Sequence, residues 1–430
     1  MTGAAVRPTA VPHPPEWPRY TEPAQAAAAA LVASGRTFDY ARGPELARLE
    51  QSVADLAGQP YCLAVNSGTS ALYTAYFGLG VGPGDEVLVP SLTFLATVTP
   101  LLLLGAVPVL CDSGDANGNV TAETLAAHIT PRTKAICVTH LWGHPVDMDP
   151  VVRLAEQHGL ALVEDCSHAH GSHSRGRPVG SFGDAAVFSL GGVKMISGGM
   201  GGALVTRHQR VYELGCLLTG FRQRSRASVR DATLLPFVET GLGANLRISP
   251  LACVLAQSHL DQLDALIRTK AANVDRLLAG LADCPELVPL AVAPGCDPGA
   301  RYGVHLALTG ALAGRRDELV NELRVSGLKV TAPTTRPLHR DQLFAQGPPA
   351  GWALHPALDW QRALGRSADA LRRADALWES WIALPATYLH DAEGRIVQPY
   401  IDRITATVAE FRDRPVAPGQ DRGGIRVDHA

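Results

Sequence analysis

Short apolar segments alternate with amphipathic segments between residues 43 and 206, and this alternation limits the fold more than any other feature of the sequence. Residues 44–58, for example, carry Leu46, Leu49, Val53 and Leu56 at the spacing of one helix face. Alternation of this kind predicts βαβ units, and therefore an α/β fold with a large, mainly parallel sheet between helices. The predicted strands are residues 61–65, 86–89, 107–111, 135–139, 160–165, 185–189 and 202–206, and the helices predicted between them are 71–79, 94–104, 122–128 and 151–158.

One uncharged stretch, residues 87–111, is longer than the roughly 20 residues that a membrane-spanning helix needs. Pro90, Pro100 and Pro108 interrupt it, and Gly105 divides it. Because proline breaks a continuous helix, the stretch is better interpreted as a strand, a helix and a second buried strand, with no membrane segment. The first 17 residues hold four prolines and no signal-peptide core, and we expect a poorly ordered arm there.

The composition excludes several classes of protein. Hydrophobic residues make up 46% of the 430 residues and charged residues 18%, so a large core can form and extensive disorder is excluded. A net charge of -3 provides no basic surplus for a nucleic-acid partner. The eight cysteines form no Cys-x-x-Cys pair, which favours buried free thiols in a reducing compartment such as the cytoplasm over disulfides or a metal site.

A long helix is predicted to begin at Ser249 and Pro250, a favourable pair for a helix start. Beyond it, residues 285–301 are rich in proline and glycine, and a mixed α+β pattern follows. We predict an N-terminal arm over 1–42, a large α/β domain over 43–255 and a flexible tail over 415–430. Residues 256–414 would form the long helix and a smaller C-terminal α+β domain with elements at 304–308, 315–326, 329–330, 371–384 and 397–412.

The turn Asn66-Ser67-Gly68-Thr69-Ser70 joins a predicted strand to a predicted helix. Free N–H groups and the positive end of a helix dipole meet at such a point, which suits a phosphate group. Glycine allows close approach, and Thr69 and Ser70 add hydroxyl donors. An ordinary N-cap turn explains the pattern equally well when it is taken alone.

Asp165 stands at the carboxyl end of a predicted parallel strand, at the edge of the sheet where ligands bind in α/β proteins. A carboxylate at this edge can hold a cationic ring nitrogen through a charge-assisted hydrogen bond. A lone aspartate there is otherwise a helix cap. His168 and His170, taken alone, are more often partly buried structural residues.

Lysine is rare in this chain: only Lys134, Lys194, Lys270 and Lys329 occur among 38 basic residues. Lys194 lies in a segment rich in glycine, residues 188–202. A lysine in an apolar, glycine-lined site has a depressed pKa and becomes a nucleophile that forms Schiff bases. The other three lie in a turn, on the long helix and at the start of a short predicted strand.

The turn at 67–70, Asp165 and Lys194, in this order, are the three anchors of pyridoxal 5'-phosphate (PLP) in fold-type I enzymes. The sequence resembles the DegT/DnrJ/EryC1/StrS aminotransferase family, closely over about residues 35–280. Ser189 also precedes Lys194 by the family's five positions. Further segments that carry the resemblance are 84–87, 90–97, 133–136, 140–143, 147–149, 164–171 and 243–249.

The resemblance implies a PLP-dependent aminotransferase of fold type I that works as a homodimer with shared active sites. It would move an amino group from L-glutamate or L-glutamine to a keto sugar or cyclitol, in secondary-metabolite or surface-sugar biosynthesis. Lys194 would hold the cofactor and transfer a proton, and Asp165 would pair with the pyridinium nitrogen. The remaining cofactor contacts implied are His168 near the phenolic oxygen, Phe94 on the ring face, Gly68, Thr69, Ser70 and Ser189 at the phosphate, and Asn245 from the second subunit.

Two departures from the family pattern leave the reaction open. Met200 stands where the family usually has glutamate, and Gly191 and Gly192 replace bulkier polar residues. A PLP enzyme that catalyses another reaction, such as elimination, and a non-catalytic PLP-binding regulatory protein therefore stay alternatives. Lys194 argues against the dehydratase branch, in which histidine replaces the lysine. The segment His140-Leu141-Trp142-Gly143-His144 follows a strand end, where its polar side chains would contact substrate or, more commonly, serve the fold.

Overall fold

The computed structural model describes residues 16–114, 116–349, 371–385 and 389–414. The predicted tail over 415–430 and the first 15 residues of the predicted arm lie outside the described residues. Residues 16–42 include a helix that the sequence pattern did not predict, α1 (Glu22–Ala33), whose first turn is capped by the hydroxyl of Thr21.

A seven-stranded sheet lies at the centre of the fold, in the order β1-β9-β8-β5-β4-β2-β3. Strand β9 is antiparallel to both of its neighbours, and the other pairs are parallel. The predicted α/β fold with a mainly parallel sheet is therefore confirmed. The strands are β1 (Tyr61–Val65), β2 (Glu86–Pro90), β3 (Val107–Cys111), β4 (Thr133–Thr139), β5 (Ala161–Asp165), β6 (His173–Ser174), β7 (Arg177–Pro178), β8 (Ala185–Ser189), β9 (Gly202–Thr206), β10 (Leu287–Pro289), β11 (Cys296–Asp297), β12 (Gly303–Leu308) and β13 (Trp381–Pro385).

Helices cover both faces of this sheet, which is why its strands are almost uninterrupted apolar runs. Alternate residues of β1 show the two faces: Leu63 and Val65 pack on one side, and Cys62 and Ala64 on the other. The helices after α1 are α2 (Pro44–Ala57), α3 (Gly68–Gly78), α4 (Thr99–Leu103), α5 (Ala122–Ala126), α6 (Met148–His158), α7 (Gln209–Thr219), α8 (Arg222–Ser228), α9 (Pro250–Leu260), α10 (Leu263–Gly280), α11 (Arg316–Val325), α12 (Gln342–Gln346), α13 (Arg372–Ser380) and α14 (Val397–Arg412).

A second, antiparallel sheet of β10, β12 and β13 lies in the C-terminal part. Its strands share a buried cluster with α10, α11 and α14, in which Leu277, Leu306, Leu319 and Ile404 are almost fully buried. This arrangement agrees with the α+β pattern of the sequence. The domain boundaries at residues 43, 255 and 415 stay a prediction.

Two predicted helices are interrupted. The segment 94–104 forms a 3-10 turn (Leu95–Thr97) and then the short helix α4, because Pro100 lacks an N–H group and the hydroxyl of Thr97 is directed to Asp165. The predicted long helix is divided into α9 and α10 at residues 261–262. There the side-chain amide of Gln262 donates to the carbonyl of Ser258, and the backbone N–H group of Gln262 donates to the carbonyl of His259.

The short strand predicted at 329–330 is wrong: only Thr331 forms a single bridge there, to Ala383. Pro333 follows two residues later and cannot donate to a ladder. Within the described residues, no helix has the length and apolar character required to cross a bilayer. The uncharged stretch 87–111 instead contains β2, α4 and β3, as predicted. All eight cysteines are free, and all except Cys296 are buried, which confirms the prediction of free thiols.

Candidate active site

Six strands of the large sheet end at the same edge, because β1, β2, β3, β4, β5 and β8 all run in one direction. The residues predicted to bind PLP follow or end these strands. In the order of the sheet they are Gly68, Thr69 and Ser70 after β1, Ser189 at the end of β8, Asp165 at the end of β5, and Phe94 after β2. The fold therefore gathers at one edge residues that are up to 121 positions apart in the chain.

The turn after β1 approaches the end of β8 closely. Ser67 caps α3 by accepting a hydrogen bond from the Ser70 N–H group at 3.1 Å, and the remaining N–H groups of the first turn have no partner within the helix. A Cβ atom on Gly68 would lie 3.1 Å from the Ser189 Cβ atom. A Cβ atom on Gly202, at the start of β9, would lie 2.3 Å from the Ser67 carbonyl. Two glycines thus allow a tight cup of backbone donors and hydroxyl groups to form.

Asp165 is buried and is held by two donors. Its Oδ2 atom accepts from the Thr97 hydroxyl at 2.7 Å, and its Oδ1 atom accepts from the Ser167 N–H group at 3.1 Å. Thr93 links the Thr97 hydroxyl to the Thr139 hydroxyl, with 2.9 Å for each contact. The carboxylate therefore has a fixed orientation at the strand end, where it can bind a cationic nitrogen.

His168 is buried three residues after Asp165. Its Nδ1 atom accepts from the Trp142 N–H group at 3.3 Å, which assigns the hydrogen of the neutral ring to Nε2. Burial, followed by the charge of Lys194, holds the pKa of His168 well below its usual value. The imidazole is thus a neutral donor, suited to an anionic or phenolic oxygen. Its ring stacks on Tyr302, with centroids 4.1 Å apart.

Lys194 extends into the same place from the loop between β8 and β9. Its Nζ atom lies 4.1 Å from the centroid of the Tyr302 ring. Burial lowers the pKa of Lys194 to about 8, and the negative charge of Asp165 opposes that shift. A substantial share of the amine is therefore neutral and nucleophilic near pH 8.

Lys270 shows that a depressed pKa alone does not identify the reactive lysine. Burial in α10 lowers the pKa of Lys270 to about 7, further than that of Lys194. Lys270, however, lies close to Arg301 and His390 rather than to Asp165. Geometry therefore favours Lys194, which faces both the carboxylate and the Tyr302 ring.

The side chains of His140, Trp142 and His144, for which a structural role was the more common interpretation, are buried in the structure. His140 is fully buried: its Nε2 atom lies 3.1 Å from Glu164, and its Nδ1 atom accepts from the Val146 N–H group. Trp142 is buried and stacks on His305, with centroids 3.6 Å apart. His144 is also buried, which lowers its pKa to about 4.

His140, Glu164 and Cys166 also lie close enough to resemble a metal site. The Glu164 carboxylate is occupied by N–H groups of Gly180, Phe182 and Gly183. The Cys166 thiol has its pKa raised by burial, which disfavours the thiolate that a metal requires. We therefore interpret this group as a buried structural network.

Phe94 and Asn245 are among the predicted cofactor residues that lie at the surface of the single chain. The Phe94 side chain is 53% exposed, three residues before Thr97. Asn245 has a left-handed backbone with φ of 56°, and its side chain accepts from Arg247. The adjacent carbonyl of Leu246 accepts from the Asn66 N–H group, so this segment passes beside the cup of its own chain. The roles of Phe94 and Asn245 stay predictions.

Sequence reasoning missed two residues of the site. Thr97 lies in a segment that carried the family resemblance, but no pattern indicated that its hydroxyl would fix Asp165. Tyr302 follows the region rich in proline and glycine at 285–301 and joins the site through a backbone bond to the Trp142 carbonyl. Nothing in its local sequence distinguishes it from a core tyrosine.

The residues present fit PLP. A cup of N–H and hydroxyl groups suits the phosphate, a buried carboxylate suits the pyridinium nitrogen, a neutral donor suits the phenolic oxygen, and a lysine with a lowered pKa suits the aldehyde. Fold and site thus define a PLP-dependent enzyme of fold type I.

The protein belongs to the DegT/DnrJ/EryC1/StrS aminotransferase family, whose sequence model matches residues 21–361. It is 34% identical to dTDP-3-amino-3,4,6-trideoxy-alpha-D-glucose transaminase of Streptomyces venezuelae, over 76% of this chain and 82% of that protein. It is 38% identical to L-glutamine:2-deoxy-scyllo-inosose aminotransferase of Streptomyces fradiae, over 61% of this chain and 63% of that protein. Among solved structures, 3-amino-5-hydroxybenzoic acid synthase superposes with a TM-score of 0.79 at 28% identity, over 93% of this chain and 100% of that chain.

Proposed function

We propose that this aminotransferase moves an amino group from L-glutamine or L-glutamate to a ketone on a sugar or cyclitol. The observation that carries the proposal is the meeting of Lys194, Asp165 and the phosphate cup at one edge of the sheet. The relatives named above, and a GDP-perosamine synthase of Caulobacter vibrioides that is 33% identical over 69% of the chain, are named for amino sugars or inososes. These relatives support a polyhydroxylated ketone as the acceptor, and a role of the enzyme in secondary-metabolite or surface-sugar biosynthesis.

Each side chain then has a definite task. PLP, when bound, supplies an electron sink that stabilises negative charge at the substrate carbon next to the amino group. The Lys194 amine, which its lowered pKa leaves partly neutral, would take the proton from that carbon and give it back to the carbon on the other side of the amino nitrogen. The carboxylate of Asp165 would keep the ring nitrogen protonated, and the Nε2–H group of His168 would donate to the phenolic oxygen. Gly68, Thr69, Ser70 and Ser189 would hold the phosphate.

We also propose a homodimer in which the active sites are shared. Several apolar side chains on the site segments are exposed in the single chain, and apolar surface of this kind marks interaction sites. The exposed fractions are 53% for Phe94, 47% for Leu95, 47% for Val193, 67% for Met200 and 64% for Leu242. Asn245 would reach the phosphate of the partner from this surface. The free cysteines support a reducing compartment, which we take to be the cytoplasm.

A direct test is to mix the PLP-loaded protein with L-glutamine or L-glutamate and follow the cofactor absorption band, then add keto sugars and inososes. We expect the amino donor to change the band and an acceptor to restore it, with an amino sugar or amino cyclitol as the product. Borohydride reduction and peptide mapping should place the label on Lys194. Label on Lys270, the other buried lysine with a lowered pKa, would contradict the assignment. A donor that releases ammonia without any transfer would instead favour elimination.

A further inference from the structure

The loop that carries Lys194, residues 190–201, is closed on itself by backbone hydrogen bonds. The Leu190 N–H group donates to Gly201, the Gly198 N–H group donates to Leu190, and the Gly192 N–H group donates to Gly199, at 2.8 to 2.9 Å. Glycine is frequent in this lysine loop, so its backbone has access to more conformations than that of most loops. Contacts from outside are therefore needed to fix the position of the lysine.

One such contact ends on the lysine itself. The indole Nε1–H group of Trp17 donates to the backbone carbonyl of Lys194 at 3.0 Å, across 177 positions of sequence. The Trp17 ring is in turn stacked against His390, with centroids 3.9 Å apart and planes 9° apart. On its other neighbour, His259, the centroid distance is 4.8 Å. The indole is thus stacked against two imidazole rings, and its N–H group is hydrogen-bonded to the backbone of Lys194.

His259, on α9, joins the same two segments. Its Nδ1 atom accepts from the Ser197 N–H group of the lysine loop at 3.0 Å, and its Nε2 atom is 2.8 Å from the Arg19 carbonyl. Residues 16–21, which we name the N-terminal strap, therefore contact the lysine loop at one point directly and at a second point through a single imidazole. Thr21, at the end of the strap, contacts the Ser258 hydroxyl at 3.2 Å and caps α1.

We propose that Trp17 is a positioning residue for Lys194: its indole N–H group fixes the lysine backbone so that the amine stays beside Asp165 and away from water. The role rests on the proposed function, because it concerns the lysine that serves as acid and base there. Small displacements of a reacting group reduce rates strongly, up to roughly 10²-fold for 1 Å. The strap thus contacts the backbone of the residue that carries the reacting amine.

The test uses Trp17→Phe, which keeps an aromatic ring between the imidazoles but removes the N–H donor together with part of the ring surface. Trp378→Phe is the matched control, because the Trp378 indole also donates to a backbone carbonyl, that of Pro333, at 3.1 Å. The first readout is the pH dependence of Lys194 acetylation in protein freed of PLP, with the exposed Lys134 as internal reference. Burial is what lowers the pKa of Lys194 to about 8, so a loosened loop that admits water should move it towards the usual value.

We expect the midpoint for Lys194 to rise by about one pH unit in Trp17→Phe and to stay unchanged in Trp378→Phe. Turnover of the PLP-loaded enzyme at pH 8 should fall about 5-fold in Trp17→Phe, since a rise of the pKa from about 8 by about one unit lowers the neutral share of the amine from about one half to about one tenth, while the KM for the amino donor changes little. Trp17→Leu, which removes the ring as well, should move the midpoint at least as far.

An unchanged midpoint in Trp17→Phe, or an equal shift in Trp378→Phe, would overturn the proposal. The acetylation experiment needs no cofactor and no turnover, so it decides the role of the strap independently. Absence of amino transfer by the unmodified protein would count against the proposed function instead.

Discussion

At the scale of single residues, two adjacent carboxylates that the sequence does not distinguish have different partners and roles in the structure. Asp165 is directed to the ligand edge and bonded to Thr97, whereas Glu164 is directed away from it and satisfied by backbone N–H groups. The alternation of side chains along β5 causes this division, because successive residues of a strand point to opposite faces. One carboxylate is therefore available for chemistry, and its neighbour stabilises the fold.

We expect Asp165→Asn to bind PLP through the phosphate cup but to lose at least about 10²-fold in turnover, because the ring nitrogen loses its charged partner. Glu164→Gln is the matched control. It removes the same charge one residue earlier, leaves backbone N–H groups poorly paired, and should lower the thermal midpoint more than the turnover of the folded enzyme. Steady-state kinetics and thermal unfolding of both variants check this. Turnover within a few-fold of normal in Asp165→Asn would exclude the pyridinium role.

At the scale of elements, the sequence predicted most of what positions the site. The strands β1, β3, β8 and β9 have the predicted bounds, because short apolar runs between turns leave little freedom in where a buried strand begins and ends. The break at 261–262 was not predictable in the same way, because it depends on a side-chain hydrogen bond of Gln262 whose partner is fixed only in the folded chain. Pro100 marked the break within 94–104 in the sequence, but the hydrogen bond from Thr97 to Asp165 is again fixed only in the folded chain.

The same limit explains which site residues were found. Asp165, Lys194 and the 67–70 turn stand at recognisable junctions between strands and turns, so local pattern and family resemblance indicated them. Tyr302 and Trp17 reach the lysine from distant segments, and their contacts are purely tertiary. His140 also follows a strand end, where substrate contact and a structural role were both open, and its buried hydrogen bonds agree with the structural role.

The start of β9 offers a test of the phosphate cup as an element. Gly202→Ala would place a methyl group 2.3 Å from the Ser67 carbonyl, a contact that backbone can relieve only by moving. We expect PLP to bind at least about 10-fold more weakly and the protein to lose about 1–3 kcal/mol in unfolding free energy. Gly82→Ala is the control, because nothing lies within 4 Å of the position that its methyl group would take. PLP titration and urea unfolding of both variants measure the two effects, and equal PLP affinities would contradict the tight cup.

At the scale of the whole molecule, the open question is which subunit supplies Asn245. The single chain places Leu246 against its own Asn66, whereas the proposed dimer directs Asn245 to the partner. Mixing inactive Lys194→Ala with impaired Asn245→Ala subunits separates these cases. If the site is shared, each heterodimer should contain one site with an intact lysine and an intact asparagine, and activity should rise to a substantial fraction of normal.

If Asn245 served its own chain, every site in such a heterodimer would lack one of the two groups. Activity would then stay low although subunit exchange is demonstrated, for example with differently tagged chains in native mass spectrometry. Self-mixing of each variant alone gives the baseline. A rise above both baselines supports sharing, and its absence under proven exchange contradicts it.

The stability of the whole fold should depend on buried histidines. Burial lowers the pKa of His144 to about 4, of His170 to about 3 and of His390 to about 2, and it also lowers that of His168 and His305. Above about pH 6.5 these rings are neutral in both the folded and the unfolded chain. As the pH falls below 6.5, these histidines bind protons in the unfolded chain but stay neutral in the folded chain, so the unfolding free energy should decrease.

Each such histidine contributes a slope of about 1.4 kcal/mol per pH unit once its unfolded form is protonated. We expect urea unfolding of the PLP-free protein to show a steep loss of stability from pH 6.5 towards pH 5. His305→Phe keeps an aromatic ring against Trp142, whose ring centroid lies 3.6 Å from that of His305. Because the unfolded variant has one proton-binding group fewer, its unfolding free energy should change less steeply with pH, by about 1.4 kcal/mol per pH unit. His158→Ala, at an exposed position on α6, should leave the slope unchanged. Equal slopes in His305→Phe and the unmodified protein would show that His305 does not couple folding to pH in this range.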